Sequence, residues 1–553
     1  MKKVLIVLFS LFVSLPVVLP FFHTGYFPTH DGEWTVIRLA DMFRTLRDFQ
    51  IPPRYSGELN FGYGYPLFNF VYPLPYYLGV FLHFLGIGFV DAIKILFALS
   101  VFFSGFFMFF ASKLLWKNTW AGLISAVMYI YFPYRMVDLY VRGSIGESLS
   151  FVLFPLLFYL AIKLIGKPSF LLVGGIGVCV ASLAMTHNIM AVFFTPLYIL
   201  FVLIQAILKN KKAIKAFSLS IFLGLGLSAF FSLPALFEKN NILLSQIPIA
   251  DRNLYFVNLS QFIFPRWGYG VPIDPNGFSY QLGLAHLAVF IIIVLSLSSF
   301  LIKNKIKFKE YYIKFAGILT ISVSFFTFLL FKPSEFLWKN IPLLSEINYP
   351  WIVLGILGFL ISLLAGFLSK KVLGRFVMIF LAIIAVFTVL PYAKPQQYIN
   401  KGDSYYLTND ATTTSSNELM PIWVKKIPFQ RPAEKVEIVK GAGTVNNIFY
   451  NSKKISFKIN AKENVRIRIN TIYYLGWNAY LDNVNVPISY ANQQGVMDIS
   501  IPEGNHFVMM TFGETFLRMV SNLISLLSIF ALLFLGAKGL KRFSIYKLRF
   551  LVK

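Results

Sequence analysis

The 553 residues are 57% hydrophobic and only 13% charged, with a mean hydropathy of +0.68, so the main solvent of this chain is lipid and a soluble multidomain enzyme is excluded. The 50 Lys and Arg against 24 Asp and Glu give a net charge of +26. These basic residues fall in short runs between apolar stretches, not on one polar module, which encodes orientation in a bilayer and excludes a nucleic-acid binder.

Met1-Lys2-Lys3 opens an apolar run to Phe22 with no small-x-small cleavage pattern before His23, and the run is long enough to span. It is read as the first transmembrane helix, with the N-terminus cytoplasmic. Val36, Leu39, Ala40, Phe43 and Leu46 then recur at helical spacing, with Arg38, Asp41, Arg44 and Asp48 on the other side, which predicts an amphipathic helix with a wet polar face. Eleven further apolar runs of roughly spanning length fall at 92–112, 120–133, 148–165, 169–185, 189–208, 216–236, 282–302, 313–331, 350–368, 372–390 and 516–536. About twelve spans place every basic cluster, from Lys113 and Lys117 to the tail beyond Lys538, on the cytoplasmic side. A crossing at 68–88 would break that parity, so this stretch is read as re-entrant or interfacial.

The same parity puts 23–66, 134–147, 238–280, 332–349 and 393–514 together on the extracytoplasmic side. Asp410-Ala-Thr-Thr-Thr-Ser-Ser-Asn417 has the composition of a linker. From Val436 the period changes to two: Ile455, Phe457 and Ile459 alternate with polar residues, as do Val465, Ile467 and Ile469, and Asp482-Asn483 occupies a two-residue hairpin position. The expected division is a membrane domain at 1–392, a linker at 393–435, an antiparallel β-sandwich at 436–515, and a last membrane helix with a basic cytoplasmic tail at 516–553. Cys179, the one cysteine, lies in an apolar run, so the exported domain folds without an internal disulfide.

The span centres carry no ionisable residue, Lys314, Arg375 and Arg518 lying at span ends, which argues against an ion-coupled transporter and moves the chemistry to the outer rim. Thr29-His30-Asp31-Gly32-Glu33 supplies a carboxylate just beyond the first span, able to take a proton from an acceptor hydroxyl when the other substrate is a lipid. Asp31 in that place is equally suited to capping the following helix. Arg142-Gly-Ser-Ile-Gly-Glu147 brings fixed donors for a lipid phosphate and a carboxylate that can pair with them or hold a substrate hydroxyl. Thr186-His187-Asn188 is a compact polar step between two apolar helices, and Phe264-Pro-Arg266-Trp267-Gly-Tyr-Gly270 combines aromatic rings and an arginine, which suits a sugar face and a phosphate as well as an interfacial belt. Neither the His spacing nor any paired-Cys spacing suggests a metal site.

These motifs, with Gln281-Leu-Gly283, Asn348-Tyr-Pro350-Trp351, Tyr474-Leu-Gly476-Trp477 and Ile501-Pro-Glu-Gly504, occur in an order that resembles the bacterial membrane proteins catalogued as 6-pyruvoyl-tetrahydropterin-synthase-related. Nothing in them resembles a soluble pterin enzyme with zinc-binding histidines. The architecture is similar to the GT-C class of integral membrane glycosyltransferases. That resemblance implies a mainly α-helical polytopic bundle with a C-terminal β-rich domain, and transfer of a sugar from a polyprenyl-phosphate carrier to a glycan, lipid or protein acceptor. It further implies Asp31 as the catalytic carboxylate, with His30, Glu33, Arg142, Glu147, His187, Asn188, Arg266 and Trp267 around the substrates. One departure stands out: the family's Gln-Phe-Pro-Trp-Arg is here Asn348-Tyr349-Pro350-Trp351-Ile352, without its arginine. Two other classes fit the composition, a flippase or transporter for a lipid-linked glycan and a non-catalytic envelope protein that binds glycan.

Overall fold

The structure is a computed structural model that describes residues 2–271, 273–274, 277–303 and 310–551; the basic run at 304–309 lies outside the described residues. A helix stands at each expected span: Lys2–Val18, Phe89–Trp116, Thr119–Ile130, Ile145–Gly166, Phe170–Thr186, Asn188–Lys209, Ala213–Phe237, Leu284–Lys303, Glu310–Leu330, Leu354–Leu368, Val372–Val389 and Phe516–Leu551. Nine helical stretches among the described residues are long and apolar enough to cross a membrane, while those at Thr119–Ile130, Phe170–Thr186 and Leu284–Ser299 are apolar but shorter. Asn118 and Ser169 start two of the helices by accepting the N–H groups of Trp120 and Leu172.

Leu354–Leu368 is buried at every position and forms the axis of the bundle. Its glycines let neighbours approach: a Cβ on Gly355, Gly358 or Gly366 would meet Phe151, Phe132 or Ser112 at 2.9, 2.6 or 2.5 Å. The stretch at 68–88 folds as two short helices, Leu67–Phe70 and Leu74–Phe84. The longer reaches roughly 16 Å, about half the hydrocarbon thickness.

The helix Gly32–Arg47 forms as its apolar spacing predicts, but its polar side is not wet. Asp41 is 2% exposed, Arg38 donates to Thr413 through Nε at 3.2 Å and to the Thr413 carbonyl, and Arg44 donates to the Leu407 carbonyl. The covering segment is the expected linker. Residues 393–435 run as a strap across this end of the bundle, pairing Ile399 with Tyr26 and Pro421 with Ile242, and burying Thr413, Met420 and Tyr406. Asp403 in the strap accepts the N–H groups of Phe89 and Val90 and so caps the helix Phe89–Trp116.

The domain beyond the strap has eight strands, β1 Val436–Lys440, β2 Gly443–Tyr450, β3 Lys454–Ala461, β4 Val465–Ile472, β5 Trp477–Leu481, β6 Val484–Val486, β7 Val496–Ile501 and β8 Gly504–Phe512. They pair antiparallel in sheets ordered β1-β4-β7 and β2-β3-β8-β5-β6. Ile455, Phe457, Ile459, Val465, Ile467 and Ile469 all turn inward. Asp482 and Asn483, with φ of 48° and 68°, make the β5–β6 turn. Two buried arginines fasten this domain to the bundle, Arg518 through the Leu475 carbonyl at 3.0 Å and Arg54 through Glu514. Arg518 donates to Glu238 at 2.7 and 3.1 Å, and Glu238 also accepts from Asn69 at 2.9 Å and Thr515 at 3.0 Å. Arg54 donates to the Phe230 carbonyl at 2.7 Å and to Asn522 at 3.1 Å, with Glu514 at 3.4 Å.

Candidate functional site

The first polar segment meets the Asp138–Arg142 turn backbone to backbone: His30 N–H donates to the Val141 carbonyl at 2.9 Å and Asp31 N–H to the Arg142 carbonyl at 2.8 Å. The approach depends on Gly143, whose φ of +66° is left-handed and whose place leaves no room for a side chain, since a Cβ would lie 2.1 Å from Thr29 Oγ1. Asp31 occupies the N-cap position of Gly32–Arg47, yet its carboxylate makes no capping bond; the Gly32 N–H donates to Thr29 Oγ1 at 2.9 Å. The Asp31 side chain is therefore left 39% exposed, with its Oδ2 4.0 Å from Arg142 Nη2.

Arg142 is held in place from three sides. It pairs with Glu147, which is fully buried. Its Nη1 donates to the Tyr134 hydroxyl at 3.0 Å, and that hydroxyl donates to Glu147 at 2.7 Å. Its guanidinium lies over the Trp351 ring, 4.7 Å from the centroid. His187 Nε2 is 3.8 Å from Glu147, while its Nδ1 accepts the Met190 N–H and caps the helix Asn188–Lys209. Burial pushes the His187 imidazole down to about 4, outweighing the attraction of Glu147, so the ring is neutral at ordinary pH.

Beneath this group Asp138 is fully buried, accepts from the Ser148 hydroxyl and leaves Oδ1 without a partner. Burial first and the nearby Glu147 second push it up to about 8, so it is mainly protonated near neutrality. Arg135, buried beside Asp138 and donating to the Ser148 carbonyl at 3.2 Å and Ser100 at 2.9 Å, is a second cation here. The cluster thus holds Arg142 between two carboxylates, one buried and one facing out, with the Asp138–Arg135 pair next to it.

The other expected residues divide. His30 Nε2 bonds the Tyr269 carbonyl at 2.9 Å, which draws the Phe264–Gly270 segment against the first loop. Arg266 Nη2 donates to the Asp274 carbonyl at 3.2 Å, and Arg266 lines a cavity of about 470 Å³ with Tyr280 and Gln261. Tyr280 stacks on Trp351 at 5.9 Å, so this cavity is one ring removed from Arg142. Trp267 stacks on Tyr392 at 4.6 Å. Asn188 is exposed beside His187. Glu33 turns away from the Arg142 cluster to Lys401 in the strap, at 2.8 Å. Tyr134 and Lys401 were not anticipated; Tyr134 shares a loop with Arg142, but nothing in its spacing signals the bond to Glu147.

The family model described as the 6-pyruvoyl-tetrahydropterin synthase related domain, a membrane protein, matches residues 68–399. That range takes in Arg142, Glu147, His187, Asn188, Arg266, Trp267 and Trp351 and begins after Asp31. A protein of Lactococcus lactis subsp. cremoris (strain MG1363), described as uncharacterized, is 26% identical over 299 residues, covering 52% of this chain and 48% of that protein. The chain thus spans about half the length of that curated relative. The Archaeoglobus fulgidus oligosaccharyltransferase in its apo form is 13% identical with a TM-score of 0.37. The Archaeoglobus fulgidus oligosaccharyltransferase AglB in complex with an inhibitory peptide and a dolichol-phosphate is 12% identical with a TM-score of 0.38. For both, the likeness covers 78% of this chain and 62% of the solved one.

Proposed function

We propose that this chain, which belongs to the 6-pyruvoyl-tetrahydropterin synthase related family of membrane proteins, is an integral membrane glycosyltransferase that moves a sugar from a polyprenyl-phosphate carrier to an acceptor on the extracytoplasmic side. One observation carries the reading: Asp31 stands at a helix start without capping it, its carboxylate facing outward beside an arginine that is 13% exposed and held by Glu147, Tyr134 and Trp351. A carboxylate so placed is set up for proton transfer at the bilayer surface, and perturbed, over-determined charge clusters gather at functional sites.

In this reading an acceptor X–H lies against Asp31. The X atom bonds to the anomeric carbon as the bond from that carbon to the carrier phosphate oxygen breaks. The proton passes to Asp31, and the polyprenyl phosphate leaves with the bonding electron pair. Arg142 aligns Asp31 through Nη2 and offers that edge to the developing phosphate charge, while Glu147 and Tyr134 hold its other edge. Arg266, on the cavity beyond Tyr280 and Trp351, gives a second donor for the carrier.

The test is release of polyprenyl phosphate from a synthetic polyprenyl-phosphate sugar by the reconstituted protein in the presence of envelope acceptors. Asp31→Asn abolishes release and leaves the melting temperature unchanged; full release by that variant refutes the assignment. Movement of the labelled carrier lipid across the vesicle with no new glycosidic bond identifies a flippase instead.

A further inference from the structure

We infer that the 48–54 loop and the β2–β3 end of the β-domain form a docking surface for the bilayer itself, seating this edge of the domain in the headgroup layer through aromatic and aliphatic anchors flanked by cations. Two observations place the surface at that depth. Arg54 bonds Phe230 and Asn522, within roughly two turns of the ends of the helices Ala213–Phe237 and Phe516–Leu551. Lys453 in the β2–β3 turn accepts the Phe512 N–H through its carbonyl at 2.8 Å, just before the last membrane helix starts at Phe516.

The loop and the turn form one rigid unit. Ser452 N–H donates to Asp48 at 2.9 Å, Gln50 donates to the Ser452 carbonyl at 3.0 Å, and Lys453 Nζ to the Phe49 carbonyl at 2.8 Å. From this unit Phe49 and Ile51 project with 75% and 72% of their surface free, and Phe449, two residues before the turn, with 52%. Phe516, on the adjoining helix, is 78% exposed. So much apolar surface in one place marks an interaction site on any protein. Here it is continuous with a membrane-facing helix.

The charge pattern names the occupant. Arg47, Lys453 and Lys454 border the anchors, and among the described residues none of the three is in an ion pair. Asp48, next to Arg47 in the chain, is engaged by the Ser452 N–H. Aromatic rings at headgroup depth with basic residues beside them fit lipid phosphates below and water above. The consequence is a β-domain held down along one edge, in addition to its fastening by Arg54 and Arg518, which fixes its height over the bundle.

The test uses full-length protein in lipid nanodiscs containing anionic lipid, with Cys179→Ala removing the native thiol and one new cysteine carrying an environment-sensitive fluorophore. With Phe449→Cys or Ile51→Cys, nitroxide placed high on the lipid chains removes most of the emission while aqueous iodide has little effect. With Asn483→Cys, on the far β5–β6 turn, the order reverses. Equal quenching at all three positions overturns the inference, as does protection of positions 449 and 51 from both quenchers, which identifies a protein cover. Loss of the lipid quenching in Lys453→Glu/Lys454→Glu protein, with position 483 unchanged, supports the headgroup contact; no change in that variant removes the basic residues from it.

Discussion

Replacing Glu147 by Gln tests the core of the candidate site without any assay of transfer. Glutamine keeps the volume and still accepts the Tyr134 hydroxyl that Glu147 receives at 2.7 Å, but it no longer opposes the Arg142 charge. Asp138, held mainly protonated by burial and by Glu147, and Asp31, 4.0 Å away and 39% exposed, are the other carboxyl groups facing Arg142. At an effective dielectric of 20 that separation is worth about 4 kcal/mol, and exposure lowers it towards about 1 kcal/mol, so Asp31 does not replace Glu147. Breaking a buried pair from one side costs about 3 to 5 kcal/mol, because the remaining charge stays buried without its partner. Glu147→Gln therefore destabilises by that amount, and Arg142→Met does the same by stranding Glu147. The double variant has no stranded charge and costs less than the sum of the two, by on the order of 2 kcal/mol. Denaturant unfolding of the four proteins in one detergent measures the cycle. Single-variant costs below about 1 kcal/mol, or strict additivity, refute the idea that Arg142 and Glu147 act as one buried unit.

His187, held neutral with a value near 4 against an ordinary 6.5, contributes stability that is complete above pH 6.5 and lost as pH falls from there towards 4. Unfolding midpoints of the native protein relative to His187→Gln fall across that window, and parallel curves for the two proteins remove the claim. Gly143→Ala meets a left-handed φ of +66° and Thr29 Oγ1 at 2.1 Å; it costs at least about 1 to 2 kcal/mol and displaces Asp31 from Arg142, read as a lower melting temperature together with lost carrier release. Glu238→Gln leaves the fully buried Arg518 charge without its carboxylate. It lowers stability by about 3 to 5 kcal/mol and makes the 436–512 domain more sensitive to protease in detergent, whereas native-like resistance shows that the β-domain is fastened elsewhere.

The spans and the sandwich were legible because both answer to local rules: lipid demands long apolar runs and a two-layered sheet demands alternation, as at Ile455, Phe457 and Ile459. The strap was not. Thr413 and Asp410 have linker composition, and only their contacts with Arg38, 375 residues away in sequence, and with Arg431 make them structure. The strap over Arg38 and Arg44, with Ser56 beside Asp41, turned the expected wet face of Gly32–Arg47 into a polar seam, since Asp41 and Arg44 read as solvent-facing in any single helix.

The site shows the same division in finer grain. Whether Asp31 caps its helix or faces substrate cannot be read from an Asp at a helix start, because both roles want an oxygen there. In the fold Asp31 takes neither of the N–H groups a capping carboxylate would take, and Thr29 accepts the first helical N–H, that of Gly32. Glu33 parts from Asp31 by helix geometry. Two residues along a helix turn the side chain by about 200°, so Asp31 and Glu33 cannot both face Arg142, and Glu33 meets Lys401 instead. The Arg142–Glu147 pairing was within reach of their five-residue separation, but what makes it rigid is the Tyr134 hydroxyl, from the same loop, and the Trp351 ring, from chain folded back over two hundred residues away. An arginine positioned that way, with its free edge towards an exposed carboxylate, is fixed by long-range packing and not by local pattern, which is why the Asp31 proposal rests on geometry that no motif contains.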